Sequence, residues 1–247
     1  MIRVCIAGVT GWAGSAVAEA VRTATDLELV AGVSRTGPGV AETLEATEVD
    51  VLVDYTHAKV VKGNVIAALE RSVGVVVGSS GLTAADYGEI DALARERRVG
   101  VIAAGNFSIT AALLARFAAE AARHIGAWEV IDYASSGKQD APSGTARELA
   151  ERLADVRAPA LDVPLDRTHG PREARGATVG GTQVHSLRLP SFTVSTEAVF
   201  AADGERLSIR HDAGESAAPY VAGTLLAIRA LPGRVGVTRG LDRLLYE

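Results

Sequence analysis

The chain has 247 residues, a formal net charge of −5 and a single cysteine, Cys5. Its length allows one large or two modest domains, and its acidic balance argues against a nucleic-acid binder, which needs a basic surface. One cysteine excludes an intrachain disulfide and a cysteine-based metal cluster. No signal peptide and no apolar run of about 18 residues is visible. We therefore expect a soluble, cytoplasmic protein with no bound metal.

The first part of the chain alternates predicted strands and helices. Residues 2–7 form a short apolar strand, a glycine-rich turn follows, and residues 15–23 carry apolar side chains at helical spacing. Further strands are predicted at 27–33, 49–55, 74–78 and 100–104, with helices at 57–71 and 84–96. Strands that alternate with helices at this spacing predict an α/β fold with a Rossmann-like, doubly wound parallel sheet.

The pattern changes in the second part. Predicted elements there are helices at 109–124 and 145–155, a strand at 128–134, and a long loop at 156–178. Three stretches with period-2 alternation follow at 183–189, 193–201 and 205–211. Neighbouring strands of this kind predict a second, α+β domain with a mixed or antiparallel sheet.

The end of the chain is predicted to return to the first domain. Residues 217–231 are helical, and the tail 235–247 follows. We therefore predict a dinucleotide-binding domain made of residues 1–106 and 215–247, with a separate domain of residues 107–214 inserted into it.

The turn after the first strand is the first candidate site. Glycine permits a tight turn and lets backbone N–H groups and a helix N-terminus approach a pyrophosphate. A purely structural turn is the alternative, but the position directly after the first strand favours dinucleotide binding. The candidate cofactor residues in this turn are Gly8, Thr10, Gly11, Trp12, Ala13 and Gly14.

The end of the second strand indicates which cofactor is bound. Ser34 and Arg35 stand where a site that prefers NAD usually has an acidic residue. A hydroxyl and a guanidinium suit a 2′-phosphate, which arginine binds in fork geometry. A solvated surface arginine is the alternative. We predict NADPH as the cofactor, with NADH as the second choice.

The most informative segment runs from Lys138 to Ala146 and reads Lys-Gln-Asp-Ala-Pro-Ser-Gly-Thr-Ala. Residues 143–145 open a predicted helix, so its orphan N–H groups and its dipole would face an anion, and Lys138 adds a positive charge. An ordinary helix N-cap is the alternative. The segment closely resembles the K-x-D-A-P-S-G-T-A signature of the dihydrodipicolinate reductase family, the 4-hydroxy-tetrahydrodipicolinate reductases of lysine biosynthesis.

Further matches to this family fall in the same order along nearly the whole chain. Residues 78–81 resemble its G-T-T-G segment, residues 106–108 its N-F-S segment, and residues 204–211 its G-E…H segment. Residues 184–188 resemble its H-S-x-R strand, in which His185 either faces the pocket or packs in the core.

The resemblance implies an NAD(P)H-dependent oxidoreductase that reduces the cyclic unsaturated imine dicarboxylate derived from 4-hydroxy-tetrahydrodipicolinate to tetrahydrodipicolinate. It implies that residues 107–214 bind this small molecule and form an oligomer, usually a homotetramer. Lys138 is implied as the catalytic side chain. The implied substrate-binding residues are Ser135, Lys138, Ser143, Gly144 and Thr145. The further implied cofactor residues are Tyr55, Thr56, Gly78, Ser79, Ser80, Gly81, Asn106 and Phe107.

The sequence departs from the family just before the lysine. The family normally carries a His-His pair there, and here the positions are Ala134 and Ser135, while Thr196 replaces a further histidine. Loss of a general acid typically lowers the rate by about 10²–10⁴-fold, so the proton would come from Lys138, Tyr133 or an ordered water. The alternatives are a paralogous NADPH-dependent reductase of another imine or enamine acid, and a non-catalytic protein that binds NADP(H) or a dicarboxylate.

Overall fold

A computed structural model describes residues 1–245 and divides the chain into two compact units. Met1–Ile109 and the segment that starts at Ala217 form the first unit, and Thr110–Ser216 form the second. The sequence places these boundaries after residues 106 and 214. The assignment of cofactor binding to one unit and substrate binding to the other stays a prediction.

The elements are numbered in chain order. The strands are β1 (Ile2–Ala7), β2 (Leu27–Val33), β3 (Val51–Asp54), β4 (Gly74–Val77), β5 (Gly100–Ala103), β6 (Ala127–Ala134), β7 (Ala177–Val179), β8 (Thr182–Arg188), β9 (Val194–Ala202), β10 (Glu205–Asp212) and β11 (Gly236–Arg239). The helices are α1 (Trp12–Thr23), α2 (Val40–Ala46), α3 (Val61–Glu70), α4 (Ala84–Arg97), α5 (Ile109–His124), α6 (Gly144–Ala154) and α7 (Ala218–Ala230). Tyr246 and Glu247, the end of the predicted tail, lie outside the described residues.

The first unit is built on a six-stranded sheet in the order β11-β5-β4-β3-β1-β2. Each neighbouring pair of strands is parallel, so the predicted Rossmann-like sheet is confirmed. The order in which successive strands are added to the sheet reverses at β1, because β2 lies on one side of β1 and β3 lies on the other. In open sheets of this type, ligands bind beyond the carboxyl ends of the strands at such a switch point.

The three central strands of this sheet form the core of the first unit. β3, β4 and β5 are buried along their whole length and consist mostly of valine, isoleucine and alanine. Continuous apolar strands are what a parallel sheet needs when helices cover both of its faces. Cys5 lies inside this core, and its burial raises the pKa of the thiol to about 11. The thiol therefore stays protonated and unreactive near neutral pH.

The second unit contains a five-stranded mixed sheet in the order β10-β9-β6-β8-β7, as predicted. β6 pairs parallel with β8 and antiparallel with β9. Every second residue of β6 is buried, and its apolar members pack with Leu114 of α5 and Leu149 of α6 in one core. We call this helix-covered side the inner face of the sheet, and the opposite side the outer face, because successive residues of a strand point to opposite sides.

Three elements were missed, and the loop prediction for residues 156–178 was partly wrong. That segment contains short 3₁₀ helices at Leu165–Arg167 and Arg172–Arg175, and its end enters β7. β11 is a short strand that exists through pairing with the distant β5, which no local pattern reveals. β7 forms a hairpin with β8 across Gly180-Gly181, a local turn signal that was overlooked. α2 is only seven residues long and follows a Gly-Pro-Gly turn, so no helical period was visible.

Candidate functional site

The loops at the carboxyl ends of the parallel strands, together with the first turn of α1, carry all the predicted cofactor residues. Because these strands run in one direction, their carboxyl ends meet at one edge of the sheet. The residues lie after β1 (Gly8, Thr10, Gly11, Trp12, Ala13, Gly14), β2 (Ser34, Arg35), β3 (Tyr55, Thr56), β4 (Gly78, Ser79, Ser80, Gly81) and β5 (Asn106, Phe107). The fold thus brings together residues that are scattered along the first hundred positions.

The turn after β1 depends on glycine at two positions. Gly8 has φ +83°, and a Cβ there would lie 2.3 Å from the carbonyl oxygen of Tyr55. A Cβ on Gly14 would lie 2.1 Å from the carbonyl oxygen of Gly8. No other residue fits at either position, so the turn packs directly on the backbone after β3, at the switch point of the sheet.

The start of α1 fits a pyrophosphate. Gly11 is the N-cap residue, and no side chain among the described residues caps this helix start. The first turn of α1 carries no acidic residue that would repel an anion. Orphan N–H groups and the positive end of the helix dipole are therefore presented at the glycine turn. Trp12 is 52% exposed beside this turn, and its ring lies edge-on to Tyr220 at 5.5 Å between centroids.

The residues after β2 form a polar turn. The Ser34 hydroxyl lies 3.5 Å from the Thr36 hydroxyl, and Arg35 is exposed to solvent. No carboxylate occurs among residues 34–40, where a site that prefers NAD would carry one. Two hydroxyls and a guanidinium are the groups that accept a 2′-phosphate.

Asp54 organises the loops after β3 and β4, a function that sequence reasoning missed. Its carboxylate is fully buried and accepts hydrogen bonds from the Thr56 amide at 3.0 Å and the Thr56 hydroxyl at 2.6 Å. The Ser79 hydroxyl donates to the same oxygen at 2.5 Å, and the Asn64 amide donates to the other oxygen at 2.8 Å. One buried carboxylate therefore fixes two predicted cofactor loops. The signal was an acidic residue at the end of an otherwise apolar strand.

Tyr55 and Phe107 pack together beyond the carboxyl ends of β3 and β5. The Tyr55 hydroxyl lies 2.6 Å from the Thr224 hydroxyl, and its ring is edge-on to Phe107 at 6.2 Å between centroids. Burial raises the pKa of Tyr55, so the phenol stays protonated. A Cβ at Gly78 would lie 2.2 Å from the Tyr55 ring, which explains the glycine. Asn106 accepts the Ser108 amide proton at 2.8 Å and so shapes the loop after β5.

In the second unit, the start of α6 gathers the predicted substrate residues. Ser143 is the N-cap residue, and its hydroxyl accepts the Ala146 amide proton at 3.3 Å. The Lys138 ammonium lies 2.7 Å from Asp140 in the preceding loop. Ser135 is exposed, and its carbonyl oxygen accepts the Lys138 amide proton at 3.0 Å. Both the N-cap and the anion-site interpretations of residues 143–145 are consistent with this geometry.

A buried ion pair supports the start of α6. Asp132 of β6 is fully buried, and one of its oxygens accepts the Ser143 amide proton at 2.9 Å. The same oxygen accepts from the Ser186 hydroxyl at 3.0 Å and the Arg188 guanidinium at 2.8 Å. Arg188 also donates to the carbonyl oxygen of Asp140 at 2.6 Å. The pair therefore fixes both the helix start and the loop that carries Lys138.

Asp132 belongs to a line of polar residues across the inner face, which we call the polar row. Its members, neighbours in the strand registers, are Ser186, Asp132, Thr196 and His211. Thr196 is fully buried and His211 is 4% exposed. Within residues 1–245, one buried atom each of Asp132, Thr196 and His211 has no hydrogen-bond partner. Unpaired buried polar atoms are costly, so the row keeps hydrogen-bonding capacity that the described residues do not use.

Tyr133, a predicted candidate for the proton donor, and His185, a predicted candidate for the pocket, lie on the outer face instead. The Tyr133 hydroxyl donates to Glu197 at 3.1 Å. His185 lies 2.6 Å from Glu129, which also pairs with Arg175, in a cavity of about 810 Å³ on the outer face. Since Asp132 is on the inner face, neither side chain joins the polar row.

Two features are absent from the described residues, a cluster of metal ligands and a membrane-spanning helix. No group of three or more His, Cys, Asp or Glu side chains is arranged to hold a metal ion within residues 1–245. In the same part of the chain, no helix combines the length and the apolar character needed to cross a membrane.

Comparison with known proteins identifies relatives over the whole length. The family described as "Dihydrodipicolinate reductase, N-terminus" matches residues 2–107, and "Dihydrodipicolinate reductase, C-terminus" matches residues 110–245. A 4-hydroxy-tetrahydrodipicolinate reductase from Nocardia farcinica is 41% identical, with 99% of this chain and 98% of that protein covered. The enzyme of the same name from Cutibacterium acnes is 38% identical, with 99% of each covered.

Solved structures agree with the fold. A dipicolinate-bound dihydrodipicolinate reductase from Paenisporosarcina sp. TG-14 is 27% identical and superposes with a TM-score of 0.78, over 98% of this chain and 99% of that one. GenD2 from gentamicin A biosynthesis, in complex with NAD, is 14% identical with a TM-score of 0.67, over 99% of this chain and 90% of that one. The latter similarity concerns the fold alone.

The parallel sheet with its glycine turn, together with the mixed-sheet unit, defines a two-unit NAD(P)H-dependent oxidoreductase. The family matches are continuous over nearly the whole chain. This chain belongs to the dihydrodipicolinate reductase family, as its resemblance to the family signature predicts.

Proposed function

We propose that this protein reduces the cyclic unsaturated imine dicarboxylate derived from 4-hydroxy-tetrahydrodipicolinate to tetrahydrodipicolinate, in the lysine and diaminopimelate pathway. The observation that carries the proposal is the start of α6, where Lys138 and the N-cap Ser143 lie next to the buried Asp132–Arg188 pair. A lysine beside a helix N-terminus is an anion site. The reductase names of the relatives and the dipicolinate-bound neighbour support the same substrate class.

The first unit holds the cofactor. When bound, NADPH supplies a hydride. The glycine turn and the start of α1 receive its pyrophosphate, since Gly8 and Gly14 leave no room for side chains and no described side chain caps α1. Thr56 and Ser79 are held in place by Asp54, so the loops after β3 and β4 are ordered before the cofactor binds. Such preorganisation reduces the entropic cost of binding.

The second unit holds the dicarboxylate. Lys138 supplies a positive charge, and residues 143–145 supply N–H donors at the positive end of α6. Ser135 adds a hydroxyl from the loop after β6. Asp132 is itself a carboxylate, and its bonds to Ser143 and Arg188 make it a support of the helix start.

One observation favours a second candidate. Ala134 is fully buried and Ser135 is exposed at the positions of the family's histidine pair, and neither titrates near neutral pH. A reductase that acts on a different imine or enamine acid would keep the helix start and Lys138 while changing these two positions. Substrate tests therefore need to include other cyclic and linear imine acids.

The protein acts as a homotetramer in the cytoplasm under this proposal. The outer face of the second sheet offers surface for self-association, since Ile131 and Val199 are only partly buried there and Ala201 is exposed. An isologous contact joins the same patch of two copies, so this surface would supply one of the contacts of a homotetramer.

The function is tested by following NADPH oxidation by absorbance, with substrate generated from pyruvate and aspartate semialdehyde by a dihydrodipicolinate synthase. We expect turnover that depends on the synthase and stops when aspartate semialdehyde is left out. Tight NADPH binding without turnover on this substrate would point to the second candidate, and binding without turnover on any imine acid would point to a non-catalytic binding protein.

Replacement of Arg35 with alanine should weaken NADPH binding and leave NADH binding unchanged. An arginine–phosphate hydrogen bond contributes about 1.5–3 kcal/mol, which corresponds to roughly a 10- to 100-fold rise in the Kd for NADPH. The Kd values of both cofactors are measured by fluorescence titration. Arg22→Ala serves as the matched control, because Arg22 is an exposed arginine in the last turn of α1. Equal losses for NADPH and NADH would contradict a contact between Arg35 and the 2′-phosphate.

A further inference from the structure

The polar row ends in a histidine that has one bonded and one unbonded ring nitrogen. His211 of β10 is 4% exposed, and its Nδ1 lies 2.9 Å from the hydroxyl of Thr110 in the first turn of α5. Its Nε2 is buried and has no hydrogen-bond partner within residues 1–245. The Thr110 contact occupies Nδ1 and leaves Nε2 as the ring nitrogen that can bond a further group.

The strand registers place His211 on the same face of the sheet as Asp132, which supports the start of α6. His211 pairs with Thr196, and Thr196 pairs with Asp132, which bonds the Ser143 amide. Adjacent strands lie about 4.8 Å apart, so His211 and Asp132 are separated by roughly 10 Å across two strand spacings. Thr196, whose buried hydroxyl also has no hydrogen-bond partner in the part of the chain that the structure describes, lies between them. A ring whose carboxylate occupies the start of α6 would extend over Thr196 toward His211.

We infer that His211, through its Nε2–H, donates the proton that completes the reduction, so that it supplies the acid that Ala134 and Ser135 cannot supply. This inference rests on the proposed function. Hydride adds to the terminal carbon of the ring's C=C–C=N system, and the electron pair moves to the ring nitrogen. Nε2–H protonates that nitrogen and gives the enamine, which tautomerises to the imine product. Neutral His211 then regains a proton from water.

The other candidate donors are committed elsewhere. The Lys138 ammonium pairs with Asp140 at 2.7 Å, and Tyr133 lies on the outer face with its hydroxyl donating to Glu197. Asp132 accepts three hydrogen bonds through a single oxygen. His211 is thus the titratable member of the polar row that has a nitrogen unpaired among the described residues.

The charges around His211 couple its protonation to the binding of substrate. Burial lowers the pKa of His211, and the neighbouring Asp212 carboxylate opposes that shift only in part. The group that faces it from α5 is Thr110, and the group from β9 is Thr196, with the Asp132–Arg188 pair beyond. The imidazole is therefore neutral in the free protein near neutral pH. A dicarboxylate brings negative charge into the pocket and raises the pKa of His211, so the acid forms when the substrate binds.

Binding of dipicolinate tests the coupling without any turnover. Calorimetric titrations of the wild-type protein just above neutral pH, in buffers of different ionisation enthalpy, should show uptake of up to about one proton per dipicolinate bound. His211→Gln should bind dipicolinate with little or no proton uptake. His124→Gln is the matched control, because His124 is exposed at the end of α5, and it should behave as the wild type does.

Kinetics test the transfer itself. His211→Gln and His211→Asn should lower kcat by about 10²–10⁴-fold, while the Kd for NADPH changes by less than about threefold. Folding of the variants is checked by circular dichroism. If neither variant folds, the inference is judged by the proton uptake that accompanies dipicolinate binding to the wild type. Folded variants with unchanged kcat, or wild-type binding without proton uptake, overturn the inference. A wild-type protein that neither binds dipicolinate nor turns over overturns the proposed function itself.

Discussion

Substituting methionine for Lys138 is expected to raise the Kd for dipicolinate by about 10- to 100-fold, because a hydrogen bond to a charged group contributes about 1.5–3 kcal/mol. Methionine keeps much of the length of the side chain and removes its charge. The helix start at Ser143 remains, so some affinity for anions should survive. The kcat/KM for the imine should fall at least as much as the affinity, since the reacting ring would be held less precisely.

The measurement is a calorimetric titration with dipicolinate, together with the coupled assay of NADPH oxidation. Lys62→Met is the matched control, because Lys62 pairs with Asp86 and Glu89 in the first unit. NADPH affinity should be unchanged in both variants. Should Lys138→Met bind dipicolinate as tightly as the wild type does, the substrate site would have to be placed away from the start of α6.

The parallel sheet could be predicted from the sequence because its signals are local. β2 and α5 were predicted with the observed bounds, since each has a clear period and a clear turn at its end. β11 was missed for the opposite reason, because it is four residues long and is held by pairing with β5, far away in the chain. β7 was missed although it has a local signal: it is three residues long and pairs with β8 across the two-residue turn Gly180-Gly181.

The candidate site could be predicted only where its residues follow one another. The glycine turn and the segment that contains Lys138 are continuous in the chain, so a motif reveals them. The polar row is different, because Asp132 and His211 meet only through the registers of three strands. One signal was present for Asp132: it occupies an inward position in a strand whose other inward residues are apolar. Arg188 is marked only as the last residue of the segment that resembles the family's H-S-x-R strand, and its pairing with Asp132 needs the sheet order.

Replacement of Asp132 with asparagine is expected to destabilise the protein by about 3–5 kcal/mol, because it leaves a buried guanidinium without its carboxylate. Asp132 is fully buried and the Arg188 side chain is 16% exposed. Asparagine would keep an oxygen for the Ser143 amide and would lose the charge that holds Arg188. The start of α6 should loosen as a result, and affinity for dipicolinate should fall together with stability.

Chemical denaturation measures this loss, and Asp26→Asn is the matched control. Asp26 pairs with Arg229 through two hydrogen bonds at the surface, where solvent screens the charges. The stability lost in Asp26→Asn should therefore be much smaller than in Asp132→Asn. The double variant Asp132→Asn/Arg188→Met separates the charge from the packing. Because it removes both buried charges, it should be more stable than Asp132→Asn alone. If the double variant is instead less stable than the wild type by the sum of the losses measured for Asp132→Asn and for Arg188→Met, the two side chains are not coupled.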